Sequence, residues 1–405
     1  MTNDVVIVGA GPASAIAGSL LARKGHRVVI YEQQRFPRFS IGESLLPQTM
    51  VWIEEAGLMG NVEAERFQPK DGAVFRLGER ERVIRFEDKT ALGPHLTWQV
   101  RRERFDLRLV EGAHEAGVQL HFGRRVTAFR PGEPVVSLDV EDEHGKAETV
   151  EARFVLDASG FARVLARLLE LDRPGDFPVR AAVFTHVEDG IRDTRFDRQK
   201  ILISINPADR DVWYWLIPFQ DGLASIGVVG PVEAIDTAGA SNEERLDRLI
   251  GAVGFMAELL RDARKVRPVG RIDGYARSAT RLSGPGYALL GNAAEFLDPV
   301  FSSGVTIAMK SASLAADVLD RQLRGATVDW ATEYEAPLNV GIDAFRAYVE
   351  AWYDHSLQDV IFDLPMHDGN IPRMVVSMLA GYAWDEANPF VTNPKKYLGM
   401  LSAMR

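Results

Sequence analysis

The segment Asp4-Val-Val-Ile-Val-Gly-Ala-Gly-Pro-Ala-Ser14 decides the fold of the first part of this chain. Residues 5–8 form a short β-branched apolar run, which predicts a strand buried on both faces. Gly9 and Gly11 allow a tight turn and a close approach of the backbone. Pro12 then opens a helix at the position where its missing N–H costs nothing. The segment therefore predicts a strand, a glycine-rich turn and a helix.

The residues that follow predict a dinucleotide site on this unit. The helix ends at Lys24-Gly25, and a second strand over residues 27–31 leads to Glu32, 21 residues after Gly11. This layout places a pyrophosphate at the helix N-terminus and ribose hydroxyls on the acidic residue. The predicted cofactor contacts here are Gly9, Gly11, Ala13, Ser14 and Glu32. Ser14 replaces the third glycine of G-x-G-x-x-G, and an ordinary strand–helix–strand unit without a ligand is the alternative.

Length and composition set the outer bounds. A chain of 405 residues predicts two or three packed units, and 46% apolar with 26% charged residues is typical of a globular protein. No apolar run approaches the length of a membrane span, and the sequence enters a strand at once, so we expect no signal peptide and a cytoplasmic location. A net charge of −10 argues against nucleic acid as a partner.

Cysteine and histidine usage excludes several kinds of site. The sequence has no cysteine, which rules out disulfides, thiolate metal ligands and a catalytic thiol. Its eight histidines show neither an H-E-x-x-H motif nor paired spacing. The sequence therefore predicts no metal site.

Further along the chain, the pattern alternates between helices and strands. Residues 35–47 read as a loop. Helices are predicted over residues 50–59, about 100–116, 242–264 and from Val305 to about Leu323. Strands are predicted over residues 118–122 and, as an alternating series, over residues 180–230, and a hairpin is predicted to turn at His144-Gly145. The end of the chain is predicted to be helical and rich in aromatic residues.

Two later turns resemble the first. Residues 154–157 form a buried strand that ends at Asp157 and Gly160, and residues 287–290 form another that ends at Gly291. Turns at the carboxyl ends of parallel strands converge on one crevice. A nucleotide with a ribityl chain would contact all three turns.

With these three turns, the chain resembles a flavin-dependent monooxygenase of the p-hydroxybenzoate hydroxylase fold, and more narrowly a flavin-dependent halogenase. The likeness implies an α/β fold in which a Rossmann-like FAD domain carries an inserted β-sheet substrate domain. Residues 1–75, 100–165 and 268–325 would form the FAD domain. Residues 76–99 and 166–267 would form the β-rich substrate domain, and residues 326–405 a helical C-terminal region.

Phe67-x-x-Lys70-x-Gly-Ala resembles the segment that carries the essential lysine of halogenases. In that family, reduced flavin and oxygen convert chloride or bromide into hypohalous acid. The resemblance implies that Lys70 holds and aims this oxidant, either by hydrogen bonding or as a haloamine, which an arginine forms less readily. A solvated loop lysine is the alternative.

Trp213-Tyr-Trp215-Leu-Ile217-Pro218 matches the W-x-W-x-I-P signature of halogenases. Residues two apart on a strand share a face, so the two tryptophans and Ile217 should form one apolar wall. In the family such a wall separates flavin from substrate. The resemblance therefore adds Trp213, Trp215 and Pro218 to the catalytic residues, and an aromatic strand in a sheet core is the alternative.

The stretch from Phe296 to Val305 is similar to the family's loop at the flavin edge. The likeness implies that Asp298, Gly304 and Val305 contact flavin, and that the amides of Ser303 and Gly304 bind halide at a helix N-terminus. Two departures are predicted to matter. Phe301 replaces a glutamate of tryptophan halogenases, which points to phenols, pyrroles or other activated carbons, and Asn292 replaces the usual aspartate near the ribityl chain.

The resemblance also assigns Arg38 and Ser44, in the loop that ends Ile-Gly-Glu-Ser-Leu-Leu-Pro47, and Arg102, in Gln99-Val-Arg-Arg, to FAD binding. It implies an FAD-dependent oxidoreductase that chlorinates or brominates a small aromatic substrate, free or tethered to a carrier protein, in secondary metabolism such as antibiotic biosynthesis. A separate flavin reductase would supply reduced FAD. The basic stretch 261–271 reads either as a docking face for an acidic carrier or as a solvated surface. An NAD(P)H-dependent aromatic hydroxylase and a flavin-binding protein without chemistry remain the alternatives.

Overall fold

The computed structural model describes residues 3–363 and 369–404. Its strands are, in chain order, β1 Asn3–Val8, β2 Val28–Glu32, β3 Gln68–Lys70, β4 Gly72–Leu77, β5 Arg80–Arg85, β6 Thr97–Gln99, β7 Gln119–Phe122, β8 Arg124–Arg130, β9 Val136–Asp142, β10 Ala147–Asp157, β11 Asp172–Pro174, β12 Arg180–Glu188, β13 Lys200–Ile205, β14 Trp213–Pro218, β15 Leu223–Pro231, β16 Arg264–Lys265, β17 Gly270–Asp273, β18 Arg277–Ala279, β19 Ser283–Gly284, β20 Tyr287–Leu289 and β21 Glu295–Phe296.

Its α-helices are α1 Pro12–Arg23, α2 Thr49–Glu55, α3 Met59–Glu63, α4 Arg102–Glu115, α5 Val164–Leu168, α6 Val232–Asp236, α7 Asn242–Gly251, α8 Gly254–Leu259, α9 Ser303–Leu323, α10 Ala336–Tyr353, α11 Ser356–Asp363, α12 Asn370–Leu379, α13 Pro389–Thr392 and α14 Pro394–Ala403. Among the described residues, no helix combines the length and the apolar character needed to cross a bilayer.

The first sheet is built on the N-terminal strand. Strands β20, β10, β1, β2 and β7 lie side by side in that order and run parallel, and β19 pairs antiparallel with β20 at the edge. Helix α1 packs against α4 and α9. The predicted α/β fold class is confirmed, and the five parallel strands bring their carboxyl ends to one edge of the sheet.

The second sheet is mixed. Its strands lie in the order β16, β12, β15, β14, β13, β4 and β5, and β17 also pairs with β12. All of these pairs are antiparallel except that of β4 with β13. Strand β4 pairs in parallel with β13, so it crosses the domain boundary predicted at residue 75. One face of this sheet joins the main core, and the other packs in a smaller core with residues of α7 and α8. The predicted division of the chain into domains otherwise stays a prediction.

Two predicted helices are each interrupted in the structure. Gly57 adopts φ +67° and ends α2, so that α3 starts separately at Met59. Val253 is extended between α7 and α8. The predicted hairpin is confirmed, because β9 and β10 pair antiparallel on either side of Gly145, which has φ +80°. Residues 364–368 and 405 of the predicted helical C-terminal region lie outside the described residues.

Candidate active site

A cavity of about 350 Å³ lies where the parallel strands of the first sheet end. Its lining includes the turn after β1, the end of β2, the turn after β10, the turn after β20 and the start of α9. Gly11, Gly160 and Gly291 all line this cavity, so the predicted convergence of three distant turns is confirmed. Residues from β14 close another part of its wall.

Glycine is required at two of these turns because the backbones touch. Gly9 has φ +89°, and a Cβ there would lie 2.8 Å from the carbonyl oxygen of Ala158. Gly291 has φ +53°, and a Cβ there would lie 2.8 Å from Cβ of Ala308. The turn after β1 therefore packs directly on the turn after β10, and the turn after β20 packs directly on α9.

Glu32 lies at the end of β2 with its carboxylate already oriented. Its Oε2 accepts a hydrogen bond of 2.8 Å from the Ala10 amide, and its Oε1 accepts one of 2.8 Å from the Gln34 amide. The side chain is buried and lines the cavity together with Gly11 and Ala13. Each carboxylate oxygen has a further lone pair, which suits the hydroxyls of a ribose.

The side-chain oxygen of Asn292 is a buried hydrogen-bond acceptor without a donor among the described residues. Its side-chain Oδ1 is buried and accepts no hydrogen bond from the described part of the chain, although Asn292 lines the cavity. Gly304 and Val305, at the N-terminal end of α9, line the same region. An unsatisfied buried acceptor is costly, so a hydroxyl-bearing ligand such as a ribityl chain fits this position.

Arg38 and Arg102 line the cavity and share one buried partner that the sequence did not single out. Asp106 is fully buried and accepts from Arg102 Nε at 2.7 Å and from Arg38 Nη1 at 3.1 Å. Arg102 also donates to the carbonyl of Ile41 at 2.7 Å. Both arginines thus hold the loop over residues 38–44 in place as well as facing the cavity. The i,i+4 spacing of Arg102 and Asp106 on α4 was the available signal.

Four predicted contact residues do not line the cavity, and each supports it from behind. The Ser14 hydroxyl donates to the Gly9 carbonyl at 2.6 Å. Asp157 accepts from the Ser159 and Leu165 amides at 3.0 and 2.7 Å, and burial raises the pKa of its carboxyl. Asp298 accepts from two tyrosines, and Ser303 is buried at the first position of α9. The side chains of Ser14, Asp157 and Asp298 fix the turns whose backbones form the cavity, which differs from the direct contact predicted for them. The predicted halide contact of the Ser303 amide stays a prediction.

The tryptophan strand has the predicted alternation. Trp213, Trp215 and Ile217 line the cavity and belong to the main core, whereas Tyr214 and Leu216 belong to the smaller core on the other face. Trp215 donates from Nε1 to Ser225 Oγ at 3.1 Å. Its indole lies over Gly227, where a Cβ would come within 2.3 Å of the ring. The facing glycine is therefore required for the position of Trp215.

Pro218, the other predicted catalytic residue of this strand, is outside the cavity lining. It is the last residue of β14, where it pairs with Ala224 of β15. Proline is restricted to positions where a strand needs no further donor, so Pro218 marks the end of the wall. The structure assigns it a role in shaping the strand.

Lys70 lies behind the cavity and is almost completely buried, with 1% of its surface exposed. Its Nζ donates to Ser44 Oγ and to the Leu45 carbonyl, both at 2.7 Å, and lies 5.2 Å from the centre of the Phe86 ring. Burial lowers the pKa of the Lys70 amine to about 7. The alternative of a solvated loop lysine is therefore wrong.

A chain of hydroxyl groups connects Lys70 to the cavity. Ser44 lines the cavity and shares a 3.0 Å hydrogen bond with the hydroxyl of Ser302, which also lines it. Ser302 precedes α9 and has φ +54°. The assignment of Ser44 to FAD binding stays a prediction, and in the structure Ser44 also links the lysine to the cavity.

Phe301 packs in an aromatic cluster beside this chain. Its ring meets Tyr348 and Trp352 of α10 edge-on, with ring centres 6.2 and 5.8 Å apart. The sequence also missed a buried pair at the cavity, in which Glu43 Oε1 lies 2.6 Å from His186 Nε2. Nothing in the spacing of Glu43 and His186 predicted this contact, because His186 comes from β12 in the second sheet.

Comparison with known proteins places the chain in a family. The family model described as an FAD binding domain matches residues 2–336. The chain is 30% identical to the flavin-dependent halogenase armH5 of Armillaria mellea, over 87% of this chain and 68% of that protein. The chain belongs to the flavin-dependent halogenases. It is also 27% identical to the 1H-pyrrole-2-carbonyl-[peptidyl-carrier protein] chlorinase of Pseudomonas fluorescens, over 93% of this chain and 89% of that protein.

Solved structures agree with a halogenase fold over the whole length. The flavin-dependent brominase Bmp2 superposes with a TM-score of 0.85 at 25% identity, covering 100% of this chain and 99% of that one. A flavoprotein/dehydrogenase from Cytophaga hutchinsonii superposes with a TM-score of 0.96 at 39% identity, covering 100% and 98%. The halogenase family, the FAD cofactor and the use of chloride or bromide predicted from the sequence are confirmed at this level.

Proposed function

We propose that this halogenase uses reduced FAD, oxygen and chloride or bromide to halogenate an electron-rich aromatic carbon, and that Lys70 delivers the halogen. The observation that supports the role of Lys70 is its burial, with a pKa lowered to about 7 and a hydroxyl link to the FAD cavity. A buried amine near neutrality is poised between its charged and neutral forms at the pH of the cell.

FAD binding rests on the residues of the cavity. The N-terminus of α1 at Gly11 would hold the pyrophosphate, Glu32 the ribose hydroxyls and Asn292 the ribityl chain. When bound, reduced FAD would supply two electrons to oxygen, and the halide ion would supply the other two as it is oxidised to hypohalous acid. The amides of Ser303 and Gly304 at the start of α9 are the proposed halide contacts, since the first amides of a helix lack intrahelical partners.

Lys70 and the tryptophan wall would then control where the oxidant reacts. Trp213 and Trp215 keep the cavity apolar on the side that faces the second sheet and exclude the aromatic substrate from it. Lys70 either donates a hydrogen bond to the oxygen of hypohalous acid or, as a free amine, takes the halogen with loss of hydroxide. The aromatic carbon then gains the halogen and loses its proton.

The substrate class follows from Phe301 and from the relatives. Phe301 offers no base to an indole, which favours a ring that is already activated, such as a phenol or a pyrrole. The relatives that act on pyrrole bound to a carrier protein support a tethered substrate. The basic stretch 261–271 adds little support for docking of a carrier protein, because Arg264, Lys265 and Arg271 already pair with acidic side chains of the same chain. A separate flavin reductase and a cytoplasmic location remain part of the proposal.

One experiment tests the proposal directly. The protein is supplied with reduced FAD, oxygen and chloride or bromide, together with phenols and pyrroles offered free and as carrier thioesters. We expect products with the isotope pattern of the halogen by mass spectrometry. Products that carry only oxygen would favour the hydroxylase alternative, and no product from any substrate would favour a diverged flavin-binding protein.

A further inference from the structure

A hydrogen bond ties the tryptophan wall to the C-terminal part of the chain. Trp213 donates from Nε1 to the hydroxyl of Tyr353 at 3.2 Å, and Tyr353 is the last residue of α10. The Tyr353 hydroxyl in turn donates to Oδ2 of Asp298 at 2.8 Å. Asp298 belongs to the loop that leads into α9. Three separate elements are therefore connected through the one tyrosine hydroxyl.

Asp298 is the fixed end of this chain. It is 2% exposed, its Oδ1 accepts from the Val300 amide at 3.0 Å, and its Oδ2 also accepts from the Tyr275 hydroxyl at 3.0 Å. Tyr275 lines the FAD cavity. The Asp298 carboxylate thus has one oxygen anchored by its own loop and the other shared by two tyrosines.

Among the described residues, Arg180 brings a positive charge near Asp298. The guanidinium of Arg180, from β12, lies 3.4 Å from the centre of the Tyr353 ring and donates to the Asp211 carbonyl at 3.2 Å. Of the described residues, the titratable groups that face Asp298 are Tyr275, Tyr353 and Arg180, and Arg180 itself lies 3.6 Å from the Asp211 carboxylate. Burial outweighs these contacts and raises the pKa of the Asp298 carboxyl to about 6.

We infer that Asp298 is a positioning residue, which holds Trp213 in the wall through Tyr353, and that proton uptake by Asp298 loosens this hold. The ionised carboxylate accepts from both tyrosines, and such charge-assisted bonds are about twice as strong as neutral ones. A protonated Oδ2 must donate its own hydrogen and loses an acceptor position. The two tyrosine hydroxyls then compete for what remains.

This inference rests on the proposed function for its consequence in catalysis. A Trp213 ring that is no longer fixed leaves a less complete barrier between the cavity and its surroundings. More of the hypohalous acid would then escape into solvent instead of reaching substrate. The coupling between oxidant and product would fall in acid, while FAD would still bind.

The hold itself can be tested on the full-length FAD complex without any substrate. The indole N–H signals of the seven tryptophans are followed by NMR from pH 5 to pH 8, with Trp213→Phe used for assignment. We expect the Trp213 signal to titrate near the Asp298 pKa of about 6, and this titration to vanish in Tyr353→Phe and Asp298→Asn. Tyr353→Phe keeps the ring under Arg180 and removes only the hydroxyl.

Tyr275→Phe is the matched control, because it removes the other donor to the same oxygen but does not touch Trp213. We expect the Trp213 titration to persist in Tyr275→Phe with a changed midpoint. A Trp213 signal that does not titrate in the wild type, or that titrates unchanged in Tyr353→Phe, would overturn the inference.

A second measurement separates the inference from the proposed function. Hypohalous acid released with reduced FAD, oxygen and bromide is trapped by a soluble 1,3-diketone. We expect about fivefold more release from Tyr353→Phe than from Tyr275→Phe, the factor expected for one lost hydrogen bond. If the wild type forms no hypohalous acid at all, the proposed function fails, and the NMR titration still decides whether Asp298 holds Trp213.

Discussion

The FAD cavity and the surroundings of Lys70 are neighbours built in opposite ways. The cavity has a volume of about 350 Å³, and each of its glycine turns comes from a short local segment that ends a parallel strand. The Lys70 amine is enclosed by Ser44, Leu45 and Phe86, which come from distant parts of the chain, and it does not line the cavity. The cofactor cavity is therefore present in the protein without its ligand, whereas the Lys70 amine is buried outside the cavity lining.

The contrast has an electrostatic consequence. In the cavity, the Glu32 carboxylate is held by hydrogen bonds from the Ala10 and Gln34 amides. Lys70 is almost completely buried, and this burial alone lowers the pKa of its amine to about 7. Ser44 and Ser302 form the hydrogen-bonded link between the two regions. Variants in one region should therefore leave the function of the other intact.

The largest expected effect is that of Lys70→Ala. Product formation should fall at least about 100-fold, as for loss of a proton-transfer or nucleophilic group, whereas FAD affinity should stay unchanged. Lys70→Arg should fail as well, because the charge survives but the nucleophilic lone pair does not. Product is measured by mass spectrometry and FAD by fluorescence titration.

Lys89→Ala is the control for Lys70→Ala. Lys89 is also buried, and its Nζ also donates to backbone carbonyls, those of Ala91 and Gly93. Burial lowers the pKa of its amine too. We expect Lys89→Ala to keep making product. Near wild-type product from Lys70→Ala would exclude the proposed role of Lys70.

The sequence predicted the cavity better than the lysine's surroundings for a physical reason. Gly9, Gly11 and Glu32 act through turns and strands whose pattern is local, and the face shared by Trp213 and Trp215 follows from strand periodicity. The contacts of His186 with Glu43, of Tyr353 with Trp213 and of Arg38 with Asp106 depend on how distant elements pack. Strand β4 joined the second sheet because its partner is β13, which no local pattern shows.

Glu32→Ala is the converse of Lys70→Ala, because it should weaken FAD binding and leave the function of Lys70 intact. FAD binding should weaken by about 1–3 kcal/mol, since a charge-assisted hydrogen bond to the cofactor is lost. Glu32→Gln keeps the shape and one acceptor, so it should lose less. With FAD at saturating concentration, turnover should return towards the wild-type value, because Lys70 is untouched. Unchanged FAD affinity in Glu32→Ala, in a protein shown to be folded by circular dichroism, would remove Glu32 from the site.

Lys70→Met tests whether the Lys70 amine is shielded from solvent. A lysine whose folded pKa is about 7, against about 10.5 when unfolded, destabilises the fold fully below pH 7. The stability of the wild type then rises with pH, because above pH 7 only the unfolded chain holds the proton. The advantage of Lys70→Met should therefore shrink by about 2 kcal/mol between pH 7 and pH 9. It is measured by urea unfolding, and a difference that is independent of pH would mean that the amine is solvated.

The smallest expected effect is that of Asn292→Ala, and it decides whether the cavity is complete before FAD arrives. Oδ1 of Asn292 is buried without a donor from the described residues. Its removal should cost one neutral hydrogen bond to the bound cofactor. In the free protein, the same change removes an unsatisfied buried acceptor. FAD affinity should therefore fall by about 1 kcal/mol, less than for Glu32→Ala, while the free protein becomes no less stable. Asn292→Asp is the informative companion, because it keeps the acceptor and adds the charge that Asn292 lacks. If Asn292→Ala instead destabilises the free protein and leaves FAD affinity unchanged, Asn292 serves the fold, and the ribityl chain must find its partner elsewhere in the cavity.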